Sequence, residues 1–153
     1  MNYKKLLVSL ALPQIVGLTA AFFTSSGVST WYTTIEKPAF TPPGWVFGPA
    51  WTLLYLLMGI ALYLVWQKGF EKTKPALLAF GVQLVLNGFW SVIFFKLQAP
   101  LYAFIELVVL WSTILLTTAK FYKFSKKAAY LLVPYIAWVS FAGVLNFTIV
   151  MLN

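Results

Sequence analysis

The side chains that could do chemistry in this sequence are indoles and amides. The chain has no histidine and no cysteine, and its three acidic residues are all glutamates. Imidazole acid–base catalysis, thiol nucleophiles and ordinary zinc sites are therefore excluded, and paired carboxylates are not favoured. Indoles are the most oxidisable groups that remain, and Trp51 and Trp138 are two of the seven tryptophans. Asn87 and Asn146 can both donate and accept hydrogen bonds.

These residues recur at three-and-four spacing, so each set lies on one face of a helix. Three such stripes are predicted: Trp51 and Tyr55; Gln83, Asn87, Trp90 and Ser91; and Tyr135, Trp138, Ala142 and Asn146. Amides are costly against lipid, so the stripes should face one another or a cavity. In the alternative interpretation the amides only bond neighbouring helices and the tryptophans fill the core.

The elements that carry these stripes must be membrane helices. The chain is 61% hydrophobic and only 9% charged, far outside the soluble range. Apolar runs of about twenty residues predict spans near 5–26, 44–66, 76–95, 101–121 and 128–150. The fold class is therefore all-α: a single domain, 1–153, forming a polytopic membrane protein with a bundle of five transmembrane helices. The net charge of +8 reflects lysines spread along an apolar chain, so no nucleic-acid partner is expected.

Lysine placement predicts the orientation. Nine of the eleven lysines fall on one side of a five-helix weave, and only Lys37 and Lys96 fall on the other. The positive-inside rule then places the N-terminus in the cytoplasm and the C-terminus outside, in the cell membrane. The first outer loop, 27–43, carries Trp31, Tyr32, Phe40 and three prolines, and we expect it to act as a lid. The alternative is a solvent loop with an interfacial aromatic anchor.

Three tryptophans, Trp51, Trp90 and Trp138, lie too deep for an interfacial belt, whereas Trp31, Trp45 and Trp66 fit one. At about 1.5 Å of rise per residue, Trp90 and Trp51 lie roughly 8 and 10 Å below the outer helix ends, and Trp138 about 18 Å. Aromatic and amide groups thus share the outer half of the bilayer, where an aromatic-lined pocket would suit a large planar hydrophobic ligand. Thr41 is expected to cap the second helix, and Glu106 to reach Lys96.

Three segments carry a resemblance to a known family. TPPGWVFGPAWTLLY, QLVLNGFWSVIFF and LLVPYIAWVSFAGVLN resemble signature segments of the TspO/MBR family, the tryptophan-rich sensory proteins related to the mitochondrial translocator protein. The resemblance covers essentially the whole chain. It implies a five-helix bundle, often a homodimer, whose pocket opens toward the first loop. It also implies binding of porphyrins such as protoporphyrin IX and of synthetic isoquinoline-carboxamide ligands, with light-dependent porphyrin degradation in some bacterial members.

The resemblance assigns roles by motif. Trp51 in GPAW and Trp138 in YIAW match the two pocket tryptophans, and Asn87 and Trp90 match the NxxW of helix three. The small residue one turn beyond Trp138 is Ala142. Lid and wall positions are matched by Tyr32, Pro42 and Tyr55. Asn146 joins the predicted ligand-binding set from its place on the helix-five stripe.

Three functional classes follow. The first is a receptor for porphyrins whose Trp51 and Trp138 support photochemical degradation. The others are a transporter of porphyrins or other hydrophobic metabolites, and a stress sensor acting through a partner protein. No metal and no intrinsic cofactor is expected, so protoporphyrin IX would be ligand or substrate. Cholesterol binding at the end of helix five is not expected, because VLNFTIVMLN lacks the tyrosine and basic residue of that motif.

Overall fold

The computed structural model of the chain describes residues 2–153 and is built from helices. Within these residues five spans are long and apolar enough to cross a membrane, which confirms the predicted all-α five-span fold. The helices are α1 Tyr3–Val28, α2 Gly44–Trp66, α3 Phe70–Ser91, α4 Pro100–Tyr122, α5 Lys126–Leu131 and α6 Val133–Leu152. A π-helical turn, Val92–Lys96, extends α3, and α5 and α6 together form the fifth span.

The helices form a closed ring in the order α1, α2, α5–α6, α4, α3. Neighbours α1 and α2 are in close backbone contact at Gly59. A Cβ there would lie 2.8 Å from the Ser9 carbonyl oxygen and 2.9 Å from the Leu10 Cα, so only glycine permits this backbone contact. On the fifth span, α5 packs closely against α2 but α6 does not. The ring is therefore looser between α2 and α6 than between its other neighbours.

Several helix ends differ from the predicted ones. Helix α3 begins at Phe70, six residues before the apolar run, and Gly69 precedes it with a φ of 112°. A helix need not stop where the hydrocarbon stops, because lysines in its first turns can reach water. The predicted cap of α2 is wrong: Thr41 Oγ1 donates to the Pro38 carbonyl at 2.7 Å, and Pro43 occupies the cap position without a side-chain bond.

Candidate ligand-binding site

A buried hydrogen-bonded network joins α2, α3 and α6. The Tyr55 hydroxyl donates to Asn87 Oδ1 at 2.6 Å, and Asn87 Nδ2 donates to the Tyr135 hydroxyl at 2.9 Å. The Tyr135 hydroxyl in turn donates to Gln83 Oε1 at 2.8 Å. All four side chains are at most 5% exposed. The amides of Asn87 and Gln83 thus bond neighbouring helices, as the structural alternative for these stripes requires.

An aromatic cluster lies directly against this network. The Trp51 ring stacks on Tyr55 with centroids 5.4 Å apart and an interplanar angle of 26°. Its edge contacts are Tyr135 at 6.2 Å and Trp138 at 6.5 Å. Gly17 of α1 makes room for Tyr55, because a Cβ at that position would overlap the phenol ring. The structure therefore brings together Trp51, Tyr55, Asn87 and Trp138, which were all predicted site residues.

Two phenylalanines that were not predicted complete the aromatic cluster. Phe47 meets the Trp138 ring edge-on at 6.0 Å, and Phe141 lies 5.8 Å from it. Phe141 also contacts Phe40 of the first loop at 6.4 Å. The helical spacing contained this signal, because Phe47 lies four residues before Trp51 and Phe141 three residues after Trp138.

Three other predicted residues, Tyr32, Trp90 and Asn146, belong to a second cluster nearer the first loop. Trp90 stacks on Phe94 at 5.0 Å and donates its indole N–H to Asn146 Oδ1 at 3.2 Å. Asn146 Nδ2 donates to the Pro100 carbonyl at 2.9 Å, which ties α6 to the start of α4. Tyr32 packs edge-on against Phe94 at 6.2 Å. The polar atoms of Trp90 and Asn146 are thus engaged with the protein itself.

An apolar groove of about 550 Å³ follows the loose seam between α2 and α6. Two predicted residues line it, Pro42 and Trp138; Ala142 instead packs against the core beside the aromatic cluster. The remaining lining residues were not predicted: Ala50, Leu53, Leu54, Pro134, Ala137 and Phe141. One side of Trp138 therefore lines this seam groove on the lipid-facing surface. Trp51 does not line the groove but contacts Trp138 from within the bundle.

The first loop is hydrogen-bonded to the end of α6 and is also held by contacts within the loop itself. The side chain of Asn153 accepts from the Glu36 backbone N–H at 3.0 Å and donates to the Glu36 carbonyl at 3.0 Å. Lys37 Nζ donates to the Tyr32 carbonyl at 2.7 Å and lies 4.9 Å from the Tyr32 ring centroid. Burial against these neighbours raises the pKa of the Tyr32 hydroxyl. The loop is an ordered cover on this end of the bundle.

Glu106 does not form the ion pair expected with Lys96. The Lys96 ammonium lies over the Phe23 ring of α1, 5.2 Å from its centroid. Both carboxyl oxygens of Glu106 are buried and have no hydrogen-bond partner among the described residues. The geometry favours the aromatic ring because Lys96 ends the π-helical turn that packs against α1.

Comparison with known proteins decides the family. The sequence model of the TspO/MBR family matches residues 9–152. The chain belongs to the TspO/MBR family. It is 46% identical to the tryptophan-rich protein TspO of Archaeoglobus fulgidus over 153 residues, covering 100% of this chain and 99% of that protein. It is 38% identical to the human translocator protein over 122 residues, covering 78% of this chain and 72% of the human protein.

Family membership confirms the resemblance drawn from the three signature segments. All three lie inside residues 9–152. A second relative, the tryptophan-rich protein TspO of Chlorobaculum tepidum, is 46% identical over 140 residues, which cover 90% of this chain and 89% of that protein. This member of the TspO/MBR family is a multi-pass integral membrane protein whose aromatic cluster lies between α2 and α6.

Proposed function

We propose that this protein is a membrane receptor for porphyrins such as protoporphyrin IX and for other flat hydrophobic ligands. The observation that carries the proposal is the aromatic cluster, in which Trp51 and Trp138 meet at 6.5 Å beside an apolar groove. The groove's volume of about 550 Å³ falls within the usual range of small-molecule sites, roughly 300–1,000 Å³. Aromatic walls suit a planar ligand because ring faces stack on it.

Recognition in this proposal depends on shape and ring contacts more than on hydrogen bonds. Asn87 and Asn146 each use both ends of their amide on protein partners. Each amide keeps a second N–H and a second lone pair, but Asn87 is 4% exposed and Asn146 1%, so a ligand would have to displace packed neighbours to reach them. Synthetic isoquinoline-carboxamide ligands, which are also flat and aromatic, would compete for the same surface. Displacement of bound protoporphyrin by an isoquinoline-carboxamide ligand would test whether the two ligand classes share this surface.

The same geometry supports light-dependent degradation of bound protoporphyrin. A photoexcited tetrapyrrole is a strong oxidant, and an indole in contact with it can donate one electron, with dissolved oxygen as the terminal oxidant. Trp51 and Trp138 are the two indoles of the aromatic cluster. Trp138 lines the groove and would be the first donor, and Trp51, which touches it edge-on, could share the resulting indole radical. Oxygen would take the electron from the reduced porphyrin as superoxide, the indole radical would then recover an electron from the porphyrin, and superoxide would add to the oxidised porphyrin. One porphyrin and one oxygen molecule are then consumed, and both indoles are restored.

The experiment compares binding and bleaching of protoporphyrin IX by purified protein in light and in darkness. Trp51→Phe and Trp138→Phe keep an aromatic ring, so each should cost binding only about 1 kcal/mol while most light-dependent breakdown is lost. Trp111→Phe is the control, because Trp111 lies on α4 and donates to Ser140 outside the aromatic cluster. Unchanged bleaching in both cluster variants, at matched occupancy, would reduce the tryptophans to walls and favour a transporter.

The proposal includes the orientation and the assembly. The lysine distribution supports a cytoplasmic N-terminus and an external C-terminus in the cell membrane, so the first loop would cover the outer end of the bundle. The family resemblance supports a homodimer. Mass measurement of the protein in native nanodiscs checks the dimer, and a purely monomeric population would remove that part of the proposal.

A further inference from the structure

We propose that the hydrophobic ligand enters this protein sideways from the bilayer, through the seam groove between α2 and α6, and not through the first loop. The inference rests on the proposed ligand-binding function and adds the route by which the aromatic cluster is reached. It follows from two independent features: a lipid-facing opening beside Trp138, and a loop that is fastened to the bundle.

The seam offers a path because the backbones of its two helices stand apart and because two of the residues that line it, Ala50 and Ala137, are small. Helix α6 does not pack closely against α2. Ala50 from α2 and Ala137 from α6 line the groove, and Trp138 forms its inner wall. Leu53, on the same wall as Ala50, is 55% exposed, so the groove lies on the outer surface of the bundle. In a five-span membrane protein that surface faces lipid.

The loop end offers no comparable path. The Asn153 side chain holds Glu36 by two bonds of 3.0 Å each. Trp31 packs edge-on against Phe94 at 5.5 Å, and Tyr32 lies 5.7 Å from Phe95 in the same arrangement. A ligand that entered here would have to break several such contacts at once.

The chemistry of the ligand favours the same route. A flat hydrophobic molecule partitions into the bilayer, so its concentration there exceeds that in water. The groove is lined by apolar residues only, so passage along it requires no desolvation of buried polar groups. For the porphyrin ring, entry from lipid exchanges one apolar environment for another, and the two propionates can stay at the membrane surface at the Pro42 end of the groove. Entry through the loop would first require the ligand to leave the membrane.

The test measures binding and release rates of protoporphyrin IX supplied from preloaded liposomes to protein in nanodiscs, by quenching of tryptophan fluorescence. Ala137→Phe narrows the seam groove. Ala79→Phe is the matched control, because Ala79 lines a separate lipid-facing groove between α3 and α4. A third variant carries Glu36→Cys with Asn153→Cys, joined by a short thiol cross-linker; the chain has no other cysteine.

A narrowed entrance is a kinetic barrier, so it must slow entry and exit together. We expect Ala137→Phe to lower both rates, the association rate by about tenfold, and to weaken Kd as well, because Ala137 also lines the groove that meets the ligand. The control and the cross-linked loop should match the parent. Slowing by the cross-link, or a change in Ala137→Phe confined to the release rate, would overturn the route alone. Absence of saturable binding by the parent protein would overturn the proposed function as well.

Discussion

Replacing Asn87 by leucine tests whether the buried amides stabilise the bundle or hold the ligand. The change removes the acceptor of the Tyr55 hydroxyl and the donor to Tyr135, which are bonds of 2.6 and 2.9 Å. Tyr135 keeps its bond to Gln83, but the Tyr55 hydroxyl is left buried without a partner. A buried polar group without a partner costs roughly 1–3 kcal/mol, so we expect the free energy of unfolding to fall by about 2 kcal/mol.

A double-mutant cycle separates the free energy of the Tyr55–Asn87 hydrogen bond from the cost of leaving the Tyr55 hydroxyl buried without a partner. Tyr55→Phe removes only the hydroxyl and should cost about 0.6–1 kcal/mol, within the range measured for hydrogen bonds between membrane helices. Combining Tyr55→Phe with Asn87→Leu also removes the hydroxyl that would be left without a partner. The free energy of unfolding of the double variant should therefore fall by about 2 kcal/mol, which is less than the sum of the two single effects. The coupling free energy is then about 1 kcal/mol, and it favours the pair.

The assay is reversible unfolding in lipid, run beside protoporphyrin titrations of each variant. Because Asn87 is engaged on both sides, Kd should change by less than about threefold. Thr148→Val is the control: its hydroxyl bonds only the Val144 carbonyl of the same exposed helix turn. The reasoning would be refuted by an Asn87→Leu protein of parental stability that binds protoporphyrin about tenfold more weakly, because the amide would then contact the ligand.

Four further outcomes are expected. Gly17→Ala should displace the Tyr55 ring and cost about 1–3 kcal/mol in the same unfolding assay, as overpacking does. Glu106→Gln should leave thermal stability unchanged or raise it, because the carboxyl oxygens are buried without partners among residues 2–153 and a neutral amide is cheaper to desolvate. Asn153→Ala should release the loop, so the amide hydrogen of Glu36 should exchange faster. The free energy of unfolding should fall by less than about 1.5 kcal/mol. A C-terminal tag should be cleaved by external protease in intact cells.

The five spans could be predicted because apolar length alone specifies a membrane helix. Their ends could not be predicted as well, since hydropathy locates the edge of the hydrocarbon and not the end of the hydrogen-bonded helix. Helix α3 shows the difference: its first six residues, 70–75, include two lysines, yet they are helical. The capping error at Thr41 has a similar origin. Its hydroxyl could bond either forward to the helix or back to Pro38, and the proline-rich loop provided the nearer carbonyl.

Spacing placed the site residues on faces but did not determine how the faces pair. The Tyr55–Asn87–Tyr135 bonds require the rotation and relative height of three helices, which a single sequence does not encode in its periodicity. Lys96 illustrates the same limit. Proximity in sequence and opposite charge favoured Glu106, whereas the π-helical turn directs the ammonium to Phe23. The seam between α2 and α6 was missed because its small residues, Ala50 and Ala137, carry no chemical signal.

Polar and aromatic groups have different roles at the candidate site. The amides of Asn87 and Asn146 are committed to the fold, which leaves ring faces and a groove to meet a ligand. Stacking depends on planarity more than on particular substituents, so several flat molecules could share this surface. Photochemistry would then be limited to ligands that absorb light and accept an electron from an indole. Under the proposed function, selectivity in binding and selectivity in reaction therefore have different origins: the groove's shape sets the first, and the ligand's excited state sets the second.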